Sequence, residues 1–155
     1  RLSLYKRLAS AIEPAEPGPL LLRLEQVLDE FPEDVGAQND LGYLWADQNK
    51  HLERALRMTQ HAVAGEPKNM AYRDSLGWAF YRLGRYAEAV AELKIAASVD
   101  EPDGLIYDHL ADALIKSGDK AAAIENWNKA IAAFEKAKES EKIPPLKEKI
   151  AAAQK

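Results

Sequence analysis

The sequence predicts an all-α chain, folded as a solenoid of antiparallel helix hairpins with a C-terminal capping helix. Two observations predict it. Alanine, leucine, glutamate and lysine, the strongest helix formers, dominate the 155 residues, and the eight prolines and eight glycines are clustered. A period also runs through the chain: Gly84 and Gly118 are 34 residues apart, as are Leu76 and Leu110, Ala89 and Ala123, Leu93 and Trp127, and Ala96 and Ala130. Repetition on that scale marks a stack of small units, each burying its apolar face against its neighbours.

The best-defined unit spans residues 70–103. Leu76, Phe80 and Leu83 lie at helical spacing, Gly84 ends that helix, and Tyr86, Ala89, Val90, Leu93 and Ala96 form the stripe of a second. Small residues at Gly77, Ala89 and Ala96 let the two helices approach closely. The unit 104–140 repeats this with Leu110, Leu114, Gly118, Ala123, Trp127 and Ala130, and the unit 35–69 with Leu41, Gly42, Trp45, Ala55, Ala62 and Pro67. Leu41 precedes Leu76 by 35 residues while Ala55 precedes Ala89 by 34, so one residue is inserted between them, near Asn49-Lys50. Leu20, Leu24 and Val27 continue the pattern backwards, which predicts a degenerate hairpin over 1–34 with Leu4, Leu8 and Ile12 on its first helix. Pro144-Pro145 opens a helix with Leu146 and Ile150 on one face, a polar-backed cap over 141–155. All five segments are expected to form one solenoid domain.

These residues resemble the tetratricopeptide repeat family, in which small and large apolar side chains hold fixed places in a 34-residue helix–turn–helix. Leu76, Gly77, Phe80, Gly84, Tyr86, Ala89, Leu93 and Ala96 all fall where the family has them, and Thr59 departs from it where a bulky apolar residue is usual. The stretch Asp74 to Trp78, with Tyr81 to Arg85 after it, resembles bacterial proteins of the family, many of them envelope-associated. The resemblance implies a protein-binding module with no enzymatic activity. It also implies that the first helix of each hairpin lines a concave groove, reached by Asn39, Tyr43 and Ala46, by Asp74, Trp78 and Tyr81, and by Asp108, Asp112 and Ile115. Asn39, Tyr43, Asp74, Trp78, Tyr81, Asp108 and Asp112 are therefore the candidate ligand-binding residues. Tyr43 and Trp78 each follow a Leu-Gly pair and fall off the buried stripe, so both are expected to be exposed anchors for a ligand. Such a groove is acidic and aromatic. It suits a protein or peptide segment with Lys or Arg and one or two apolar side chains. Alternatively, another copy of the chain fills it, or the repeats are the regulatory part of a larger enzyme.

Other classes of function find little support. A net charge of −4 fits poorly with nucleic-acid binding, which depends on neutralising phosphates. No run approaches the roughly 18 apolar residues of a membrane-inserted helix. There are no cysteines, and His51, His61 and His109 form no metal-binding spacing, so each is read as an ordinary surface or interhelical histidine and no cofactor or metal is expected. Asp108 and Asp112 lie one helical turn apart, as paired catalytic carboxylates can, but a solvated helix face is the commoner cause. The chain opens at Arg1 without Met and is read as part of something longer, from the bacterial cytoplasm or the cell envelope.

Overall fold

The computed structural model describes residues 17–155, and among them the regular structure is helical, with no strand. Eight α-helices follow one another: α1 (Pro17–Glu30), α2 (Val35–Asp47), α3 (Leu52–Gly65), α4 (Met70–Arg82), α5 (Tyr86–Ala96), α6 (Gly104–Lys116), α7 (Lys120–Ala137) and, after a short 3₁₀ turn at Ser140–Lys142, α8 (Ile143–Gln154). α2 packs on α3, α4 on α5 and α6 on α7, and each hairpin then stacks on the next. α1 supplies the helix expected from Leu20, Leu24 and Val27. The helix expected from Leu4, Leu8 and Ile12 lies outside the described residues.

Local chemistry sets the helix ends. Asp34, Asn69, Asp103 and Asp119 cap α2, α4, α6 and α7, each side chain accepting a hydrogen bond from an amide of the first turn. Gly84 and Gly118 close α4 and α6 in the left-handed region, at φ +77° and +89°. There the amide of the following residue reaches back to Phe80 and Leu114, respectively. Asn49 and Lys138 make the same closure after α2 and α7 without being glycine, at φ 56° and 60°. The connection 48–51 is one residue longer than 83–85 or 117–119, which accounts for the break in the period.

Close approach of paired helices depends on the small residues. A methyl group on Gly77 would lie 2.5 Å from Leu93 Cγ, and one on Gly42 2.9 Å from Thr59 Cγ2. Ala55, Ala62, Ala89, Ala96, Ala123 and Ala130 are fully enclosed. Thr59 is also fully buried, its hydroxyl donating to the carbonyls of Ala55 and Leu56 at 3.0 Å, so a threonine fits where the family has an apolar side chain. Leu24, Leu41, Leu93 and Leu146 are sealed from solvent, each contributing about 1.5–3 kcal/mol of transfer free energy. Ile143 and Leu146 anchor the first turns of α8, beside the two prolines that open it.

Candidate functional site

Stacking brings α2, α4, α6 and α8 side by side, and a row of polar contacts joins them. In each contact a donor on the later helix reaches an acceptor on the earlier one. Trp78 Nε1 donates to Asp47 Oδ1 at 3.2 Å. His109 Nδ1 lies 2.9 Å from Asp74 Oδ1. Lys149 Nζ donates to Asp108 Oδ1 at 2.8 Å and to both oxygens of Asp112 at 2.9 Å.

His109 is the centre of the row. It is only 4% exposed and is stacked on Trp78, with ring centroids 4.1 Å apart and planes 16° from parallel. Tyr81 stacks on Trp78 at 4.7 Å and 12°, and Tyr43 tilts toward His109 at 6.2 Å. Burial, the largest influence, opposes a charge on the imidazole. The charge and hydrogen bond of Asp74, with the charges of Asp108 and Asp112, outweigh it and hold the His109 pKa above the ordinary histidine value.

Asp108 also accepts a hydrogen bond from Trp127 Nε1 at 3.1 Å, which fixes it against α7. Burial pushes the Asp112 carboxyl above its usual range, and the neighbouring Asp108 charge adds to this; the Lys149 ammonium offsets only part of it. Burial likewise raises the Tyr81 phenol, and Asp112 is the next cause. Two carboxylates thus share one ammonium beside a half-buried aromatic ring.

Six of the seven candidate residues are therefore gathered around His109 and Lys149: Tyr43, Asp74, Trp78, Tyr81, Asp108 and Asp112. Asn39 stands apart. It is buried, its amide donates to Asp40 at 3.0 Å, and its Oδ1 has no hydrogen-bond partner among the described residues. The expectation that Trp78 is an exposed anchor needs correction: it is 7% exposed, covered by Tyr81, His109 and the Asp47 contact, so the next hairpin claims the face that the stripe left open. Asp74 is also buried rather than facing a ligand. Tyr43, Tyr81, Asp108 and Asp112 keep partial exposure. His109 is the interhelical histidine that was one of its two ordinary readings. Lys149, in the cap whose polar backing was expected to face solvent, turns inward instead. The signal for it is its spacing, three residues after Leu146 and beside Ile150, at the margin of the buried stripe.

Known proteins share this architecture. A family model described as tetratricopeptide repeat matches residues 48–104. Over 89 residues the chain is 33% identical to a TPR repeat-containing protein of Pseudomonas aeruginosa, which takes in 57% of this chain and 15% of that protein. Over 107 residues it is 29% identical to the human aspartyl/asparaginyl beta-hydroxylase, which takes in 66% of this chain and 14% of the enzyme. The chain thus spans less than a fifth of either curated relative's length. A thermophilic TPR protein of Thermus thermophilus superposes with a TM-score of 0.68 at 21% identity, over 88% of this chain and 72% of that one, a likeness of fold.

Proposed function

We propose that this chain is a tetratricopeptide repeat module, non-catalytic, that holds a protein segment against the strip formed by α4 and α6. The segment offers a basic side chain to Asp108 and Asp112 and an apolar one to Tyr81. The observation that carries this reading is the seat at Asp108 and Asp112: it already takes an ammonium, and Asp112 keeps a raised pKa with that ammonium in place. More positive charge would be welcome there, and a guanidinium can meet two carboxylates at once. Tyr81, stacked on one face and partly open, is a fit anchor for an apolar neighbour.

Selection from a random peptide library tests the reading. Enriched peptides should carry Lys or Arg beside an apolar residue, and Tyr81→Ala should weaken them by about 2 kcal/mol. Peptides without a basic residue, or bound equally by Tyr81→Ala, would sink it.

A second reading draws on the hydroxylase match: the repeats form a binding or regulatory segment of a larger enzyme, since the matched stretch is 14% of that relative. Sequencing the gene on both sides of this segment decides it. Flanks with no catalytic domain would rule it out.

A further inference from the structure

The last contact in the row differs from the one before it. The His109–Asp74 pair is sealed, its side chains 5% and 9% exposed, whereas Lys149 is 35% exposed against Asp108. The helix that supplies Lys149 is also unevenly held. The fully packed side chains of α8, Ile143 and Leu146, lie in its first four residues, while beyond Lys149 only Ile150 and Ala153 make partial apolar contact. Ala151, Ala152 and Gln154 face solvent. Without the lysine, the second half of the helix would rest on two partly covered side chains.

We propose that α8 is a displaceable internal occupant of the groove, with Lys149 standing in for the basic side chain of a partner and leaving Asp108 and Asp112 when that partner binds. The inference rests on the reading above, that this seat takes a basic side chain from another protein, and adds that access to it is gated from within the chain. Ile143 and Leu146 are the pivot and Lys149 the latch. Lys149 is the more open member of the pair, 35% exposed against 18% for Asp108, and Asp108 stays in place when it leaves because Trp127 and the α6–α7 packing hold that carboxylate independently of α8. Gating would lower the apparent affinity of a partner by the fraction of time the latch is shut.

The test uses the whole chain, argininamide as the probe, and amide-resolved nuclear magnetic resonance. Lys149→Met keeps the alkyl stem and removes the charge; Lys149→Gln is the second variant. In the variants, argininamide should shift the amides around Tyr81, Asp108 and Asp112 and saturate at roughly tenfold lower concentration than in the parent, the scale of one charge-assisted hydrogen bond. In the parent, saturation should bring faster hydrogen exchange in the second half of α8, with exchange in α5 and α7 unchanged. Equal affinity in parent and variants would overturn the latch while leaving the groove's preference intact. If argininamide shifts neither protein, the basic-segment reading itself falls. If both variants fail to fold, Lys149 is a structural residue of the stack and the proposal is wrong.

Discussion

The imidazole of His109 lies flat against the indole of Trp78, on the preceding helix of the row, while its Nδ1 faces the carboxylate of Asp74. The two partners act together. An indole face favours a cation, and the carboxylate favours the same protonated form. A buried histidine would otherwise shed its proton, so Trp78 and Asp74 help set the charge state of the middle of the groove. Tyr81 extends the column of rings toward solvent.

Trp78 should behave as a core residue. Trp78→Ala is expected to destabilise the chain by about 3–5 kcal/mol in urea unfolding. Trp78→Phe keeps a ring in the stack but loses the Asp47 hydrogen bond and part of the packed surface, so it should cost less than Trp78→Ala and at least about 1 kcal/mol. A melting curve unchanged by Trp78→Ala would mean the indole does not pack against His109 at all.

The His109 charge predicts a dependence of stability on pH. Its folded pKa is raised above the ordinary histidine value. The stabilisation is therefore fully present below the unfolded-state value and is lost as pH rises through the folded one. The groups facing the ring are Asp74 from α4 and Asp108 and Asp112 from its own helix, with Lys149 of α8 across from them. Asp74→Asn removes the closest charge and leaves the burial, so the His109 titration midpoint should fall. Nitrogen-15 titration of the imidazole measures both, and a parent midpoint at or below that of an unstructured histidine would contradict the arrangement.

Two helix ends should respond in opposite directions. Gly84→Ala forces a Cβ into the left-handed region and should cost about 1 kcal/mol or more. Lys138 occupies that region as a non-glycine residue, so Lys138→Gly should stabilise by roughly 0.5 kcal/mol. Chemical denaturation of the pair distinguishes them; a loss of stability in Lys138→Gly would show that its side chain matters more than its backbone.

The period and the turn glycines made the hairpins legible, because Gly77, Gly84 and Ala89 answer to constraints within a single hairpin. The one-residue insertion was legible for the same reason. What lies between hairpins was not. Trp78 read as exposed because, on its own helix, it does lie off the stripe; its cover comes from His109 on α6 and Asp47 on α2. Asp74 and Asp108 read as ligand-facing carboxylates because nothing in their own units marks the donors that reach them. The side chains that neutralise them, His109 and Lys149, lie 35 and 41 residues further on, at places that are not equivalent in the repeat.

The one-way order of donors and acceptors bears on how such a chain can change length. Excising 70–103 in frame would set His109 against Asn39, the counterpart of Asp74, where no carboxylate stands. The histidine would lose the carboxylate it bonds and keep only the more distant charges of Asp108 and Asp112, and Asp47 would lose its indole. Copying 104–137 has the opposite effect: the duplicate's histidine would meet the original Asp108, and Lys149 would meet the duplicate's acids. This stack can be lengthened at its C-terminal end with its charge pairing intact, and cannot be shortened through its middle without breaking it.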